Sequence, residues 1–131
     1  MPRTGRFLLD TNIVIALFAN EAAVQQRLTA AQEVFVPCIV LGELSYGAYR
    51  SARVVENLAR LDDFATSNTV LLCDTVTARQ YGDIKNTLRA KGRPIPENDI
   101  WIAAIARQYD LTVIARDAHF HEVDGLPVEA W

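Results

Sequence analysis

The stretch ENDIWIAAIARQYDLTVIARDAHF, Glu97 to Phe120, decides the fold. It holds an acidic helix start at Asp99, an apolar helix over Ile100 to Tyr109, and a β-branched run from Leu111 to Ala115 that reads as a buried strand. Asp117 stands just past the end of that strand, after Arg116. A helix that feeds such a strand belongs in a parallel sheet. In such sheets ligands sit outside the carboxyl ends of the strands, where the strand order reverses. The chain opens the same way, with Phe7-Leu8-Leu9 as a short apolar strand and Asp10 immediately after it.

The intervening sequence alternates in the same manner. Thr11 and Asn12 are good N-cap types for a helix over Ile13 to Phe18, and Glu21 to Ala31 reads as a second helix. Glu33 to Val36 is a short strand closed by Pro37. From Cys38 to Tyr49 the period is helical, with Val40, Leu41, Leu44 and Ala48 on one face and Glu43, Gly47 and Arg50 on another. A helix over Val54 to Ala65, a strand over Thr69 to Cys73 and a helix from Asp74-Thr75 through Tyr81, Ile84 and Leu88 follow. Lys91 to Pro96 is punctuated by Gly92, Pro94 and Pro96 and reads as a loop. Asp124-Gly125 is a turn, and Val128 to Trp131 a final strand whose Pro127 suits a sheet edge. The pattern predicts one α/β unit over residues 1–131, with a mostly parallel sheet and helices on both faces.

Of the 131 residues, 50% are hydrophobic and 22% charged, which excludes a disordered tail. The net charge of −3 lacks the strongly basic signal of a nucleic-acid binder. It does not exclude one, because acids gathered in a metal site lower the net charge without facing a phosphate backbone unneutralised. Cys38 and Cys73 are far apart, without CxxC spacing, and are expected to be reduced, buried thiols. Arg3 and Arg6 precede an apolar run that Asp10 breaks too early for a signal peptide. No apolar segment approaches the roughly 18 residues of a membrane span. A soluble, cytoplasmic protein is expected.

Each acid alone admits a structural reading. Asp10 can cap the following helix, Asp99 suits the positive end of a helix dipole, and Asp117 can start a short turn over Ala118 to His121. Glu43 interrupts an apolar helix beside Gly42 and near Gly47, which leaves room for something to approach, although a solvated face is also consistent. Together they say more. If the first strand neighbours the Leu111 to Ala115 strand, Asp10 and Asp117 lie side by side at the sheet's carboxyl edge. Clustered carboxylates repel and raise one another's pKa values. A hard divalent cation, Mg²⁺ or Mn²⁺, removes that repulsion and takes oxygen ligands. His119 and His121, spaced i, i+2, do not share a helix face and are read as structural rather than zinc ligands. No GxSxG elbow, Walker A loop or GxGxxG is present.

The segments FLLDTNIVIAL (Phe7 to Leu17), PCIVLGELSYGA (Pro37 to Ala48), ENDIWIAAIA (Glu97 to Ala106) and LTVIARDAHFHEVDGLPV (Leu111 to Val128) carry a resemblance to a known family. In order and over nearly the whole chain, they resemble the PIN-domain ribonucleases, and more narrowly the VapC-type toxins of prokaryotic toxin–antitoxin pairs. The resemblance implies a three-layer α/β/α sandwich with a five-stranded, mostly parallel sheet, often dimeric. It places the family's acidic quartet on Asp10, Glu43, Asp99 and Asp117, which would act as catalytic residues and metal ligands for Mg²⁺ or Mn²⁺. Thr11 falls on the polar position after the first aspartate, and Asn12 follows as a supporting group. Ala115 departs from the Thr or Ser that many relatives carry two residues before the last aspartate, which bears on tuning more than on activity. The implied activity is metal-dependent hydrolysis of RNA, and the implied partners are RNA, a cognate antitoxin whose tail fills the groove, and a second copy of the chain.

RNA also needs cations for its backbone. The densest supply runs from Arg79 through Lys85, Arg89 and Lys91 to Arg93, and Arg89, Lys91 and Arg93 are the expected RNA contacts. A solvated helix face is the alternative. An aspartyl phosphatase would need a second Asp where Asn12 stands. A receiver-type switch would need an acid pair where Thr11-Asn12 stands, although Asp74 follows a strand. An inactive PIN-like module that binds RNA or protein without cutting is the remaining rival, and the full quartet argues against it.

Overall fold

The computed structural model describes residues 4–131; Arg3 of the N-terminal reading lies outside them. Among the described residues the order is β1 (Thr4–Leu9), α1 (Thr11–Phe18), α2 (Ala22–Ala30), β2 (Ala31–Pro37), α3 (Cys38–Tyr49) and α4 (Val54–Ser67). There follow β3 (Thr69–Leu71), α5 (Thr75–Ala90), α6 (Glu97–Tyr109), β4 (Thr112–Ile114), a 3-10 turn over His119–Glu122, and β5 (Val128–Glu129). The strands form one five-stranded sheet in the order β3-β2-β1-β4-β5, with every pairing parallel.

This order makes β1 the pivot. The chain leaves β1 toward β2 and β3, then returns to its other side for β4 and β5, so the direction reverses between β1 and β4. Leu8 pairs with Val113 and Leu9 with Ile114. All four are buried. Successive residues of a strand point to opposite faces, so consecutive burial means that both faces of the sheet are covered.

The deciding stretch folds for local reasons. Pro96 at the N-cap position, with φ −54°, opens α6, so the helix begins at Glu97 and places both Glu97 and Asp99 in its first turn. Residues 102–106 are all fully buried, as expected of a helix that is apolar on every side, and its alanines let neighbours approach closely. Trp101 is left at the margin, stacked on Tyr81 of α5 at 4.0 Å between ring centroids. Asp110 ends the helix in the left-handed region at φ 56°, which Asp tolerates better than most residues, and the Leu111 N–H closes back on the Ala106 carbonyl at 2.8 Å. The chain turns there straight into β4.

Element boundaries differ from the sequence reading where pairing outweighs propensity. Ala31 is buried and pairs with Thr4, so it joins β2 rather than the preceding helix. β5 stops at Glu129, and Trp131 packs edge-on against Phe7 at 5.2 Å instead of extending the strand. Cys73 falls past the end of β3 and is exposed, and Cys38 is only half-buried, so neither is the fully buried thiol the sequence suggested. No helix among the described residues is long and apolar enough to cross a membrane.

Candidate active site

Asp10 leaves β1 in an extended conformation, and its N–H donates to the Ile114 carbonyl at 3.0 Å, which ties the carboxyl ends of β1 and β4 together. Its own carbonyl receives the first N–H groups of α1, from Ile13 and Val14. The backbone thus caps the helix while the side chain makes no capping bond. The carboxyl of Asp10 is left to point elsewhere, and it is buried, 4% exposed.

The other acids surround it. Asp99 comes from the first turn of α6, and Asp117 from the segment just past β4. Glu43 comes from the second turn of α3, where its Oε2 accepts the Thr11 hydroxyl at 2.8 Å. Burial is the largest influence on the Asp10 carboxyl, and the charges of Asp99, Asp117 and Glu43 add to it. Against the opposing Thr11 N–H, they raise its pKa from 3.8 to about 7. Burial also raises the Asp99 carboxyl above the ordinary carboxylate range, reinforced by Asp117 and Glu43 and opposed by a hydrogen bond to His119. Asn12 is exposed and makes no side-chain hydrogen bond among the described residues.

His119 is the residue that sequence reasoning missed. Its Nδ1 lies 2.9 Å from Asp99 Oδ2 and 3.4 Å from Asp117 Oδ1, and its backbone N–H donates to Asp117 Oδ1 at 2.9 Å. One side-chain oxygen or nitrogen from each of Asp99, Asp117 and His119 lies within 4.8 Å of the other two. The signal was the two-residue step from Asp117, which a helical face does not accommodate but an Asx-type turn into a 3-10 turn does.

Among the described residues, no Lys or Arg forms an ion pair with any of the four acids. Arg116, beside Asp117, turns away: its guanidinium grips both carboxylate oxygens of Glu21, and its Nε donates to the Trp131 carbonyl. Oxygen donors that repel one another, with one imidazole alongside and no basic side chain to balance them, suit a hard divalent cation in chemistry and in charge. Asp74, the acid a receiver-type switch would use, instead accepts the Thr77 N–H at 3.1 Å in a reciprocal capping box at the start of α5.

Of the four acids, Glu43 lines an open groove of about 610 Å³ that reaches from Thr11 along Ile15, Phe18 and Tyr46 to Arg60. Ile15 and Tyr46 are exposed there. Gly47 lines it with open space where a Cβ would stand. Of the basic arm, Lys91 donates to Asp124 at 3.0 Å and to the Glu122 carbonyl, whereas Arg89 and Arg93 make no side-chain hydrogen bond or ion pair among the described residues.

Comparison with known proteins agrees with this arrangement. Residues 7–126 match the PIN domain. The chain is 35% identical over 129 residues to the tRNA(fMet)-specific endonuclease VapC of Shigella flexneri, covering 96% of this chain and 98% of that protein. It is equally similar, at 35% over 129 residues, to ribonuclease VapC2 of Haemophilus influenzae, again covering 96% and 98% of the two chains. The crystal structure of DNA-bound VapBC from Salmonella typhimurium superposes with a TM-score of 0.90 at 30% identity, covering 98% of this chain and 99% of that one. VapBC2 from Rickettsia felis, bound to a DNA fragment from its promoter, gives 0.88 at 26% identity, covering 95% and 98%. The order of strands, the acids at the switch point and these likenesses converge, and the chain belongs to the PIN-domain family, among the VapC ribonucleases.

Proposed function

We propose that the protein is a divalent-metal-dependent endoribonuclease, acting in the cytoplasm as the toxin of a toxin–antitoxin pair. The observation that carries this reading is the set of four carboxylates, Asp10, Glu43, Asp99 and Asp117, gathered at the β1/β4 switch point with no Lys or Arg among the described residues paired to them. Asp10 and Asp99 are the first choices to hold Mg²⁺ or Mn²⁺, with Glu43 and Asp117 completing the set directly or through water. The bound cation would polarise the scissile phosphate and lower the pKa of a water.

The chain's own groups do the remaining work. Thr11 fixes one oxygen of Glu43 by hydrogen bonding, which leaves the other free to face the site. His119 holds Asp99 and Asp117 in register from one side. Asp117 or Glu43 takes the proton from the attacking water, so that water and not a side chain is the nucleophile. No covalent intermediate forms, and the products carry 5′-phosphate and 3′-hydroxyl ends. A 2′,3′-cyclic phosphate would refute this mechanism.

The groove beside Thr11 and Glu43 supports the second half of the reading. Its exposed Ile15 and Tyr46 offer an apolar bed, and Glu43 on its lining leads to the acidic cluster, which offers a socket for a cation. An antitoxin segment with an apolar face and a terminal basic side chain fits both features. Assembly of two copies belongs to the same reading and is read by light scattering. The decisive experiment is cleavage of a cellular RNA pool with Mg²⁺ or Mn²⁺, against EDTA and against Asp10→Asn. Cutting that needs the metal and is lost in the mutant is expected. A folded, antitoxin-free wild type that cuts nothing would move the assignment to a non-cutting binding module.

A further inference from the structure

We propose that Cys38 and Cys73 are a modification site: a pair of thiols that a peroxide converts, reversibly, into an intrachain disulfide. The two are 35 positions apart, yet the fold makes them neighbours. β2 and β3 pair in parallel with Pro37 opposite Leu71; Cys38 follows Pro37 directly, and Cys73 lies two residues beyond Leu71. The strands run about 4.8 Å apart where they end, and Cys38 and Cys73 leave those ends one residue out of step, on the scale of the roughly 4.4–6.8 Å between Cα atoms that a disulfide spans. The two thiols are close enough for Cys38 to act on the ionisation of Cys73. Cys73 is exposed and open to a small oxidant, while Cys38 is half-buried behind it.

The chemistry balances with one peroxide. The Cys73 thiolate attacks a peroxide oxygen, the O–O bond breaks, and the departing hydroxide takes a proton to leave as water, giving a sulfenic acid. Cys38 sulfur then attacks the Cys73 sulfur; the S–S bond forms, the S–O bond breaks, and hydroxide leaves as a second water with the Cys38 proton. Two electrons pass from the sulfurs to the peroxide. Burial, then the neighbouring Cys38 and Asp74, push the Cys73 thiol up to about 11, so the first step is slow at neutral pH and quickens roughly tenfold per pH unit toward that value. The inference does not depend on the nuclease reading, because neither sulfur belongs to the acidic site.

The test treats the reduced full-length protein with hydrogen peroxide at pH 8. Free thiols are expected to fall from two to none per chain. The intact mass should drop by about 2 Da, the signature of disulfide formation without added oxygen. The chain should stay monomeric on a non-reducing gel, and the tryptic peptides Leu28 to Arg50 and Leu61 to Arg79 should be linked until dithiothreitol parts them. Cys38→Ser and Cys73→Ser should each abolish the linked species. Peroxide that yields disulfide-linked chains, or a sulfinic acid at Cys73 with Cys38 still free, would overturn the proposal.

Discussion

Replacing Asp10 by Asn should make the metal-free protein more stable while destroying its proposed activity. Asp10 is the one charged side chain fully buried among the described residues, and its carboxyl is raised from 3.8 to about 7 by burial and by Asp99, Asp117 and Glu43. Between those two values the folded protein holds a proton that the unfolded chain has released. Stability of the metal-free protein therefore falls as pH rises through that window and stays low above it. A gap of about three pH units corresponds to roughly 4 kcal/mol at pH 8. Asn keeps the size of the side chain without the charge, so Asp10→Asn should gain on the order of 2–4 kcal/mol at pH 8, and less than half of that at pH 5. Urea unfolding in EDTA, followed by the fluorescence of Trp101 and Trp131, reads both values. Added Mn²⁺ at pH 8 should stabilise the wild type and leave the mutant nearly unmoved. A metal-free Asp10→Asn protein no more stable than wild type at pH 8 would refute the reasoning, because the buried charge would then carry no cost.

His119→Ala should weaken Mn²⁺ binding by about tenfold, since the imidazole orients Asp99 and Asp117. His119→Asn, whose amide can donate from a similar position, should recover part of the loss in calorimetry; unchanged affinity in the alanine variant would remove the orienting role. Arg93→Ala should lower the salt-dependence slope of RNA binding by about 0.7, the value for one contact to a single strand. Lys91→Ala should move that slope less, because Lys91 is already engaged by Asp124 and the Glu122 carbonyl. Equal effects from the two would show that the ion pair opens for RNA.

The architecture was legible because its signals are local and redundant. A buried strand that ends in an acid, seen twice, implies a parallel sheet with the acids at its carboxyl edge, and β1 and β4 do pair in parallel. What the sequence hid is set by pairing across the sheet and by turn geometry. Ala31 joins a strand because it faces Thr4, not because alanine prefers strands. His119 reaches Asp99 because a 3-10 turn follows Asp117, and a helical wheel places it elsewhere. Cys38 and Cys73 become neighbours only through the register of β2 on β3, which no spacing rule for cysteines encodes. Asp10 shows the limit of a single-residue rule most plainly. It occupies the capping position that the rule assigns, yet the backbone performs the capping and the side chain is left for the site.

That freed carboxyl connects folding, catalysis and inhibition in the proposed reading. The fold holds Asp10 where ionisation is costly, and the basic group nearest in sequence to the acids, Arg116, is committed to Glu21. A cation that enters the cluster stabilises the fold by the repulsion it relieves. A metal ion and a basic side chain of an antitoxin would compete for the same socket. Titrating Mn²⁺ against a peptide that carries such a side chain should raise the apparent metal Kd in proportion to peptide concentration, and Asp10→Asn should weaken both ligands together. A peptide that blocks RNA cleavage while leaving metal affinity untouched would show instead that inhibition works by covering the groove from Ile15 to Arg60, with the acids left to their metal.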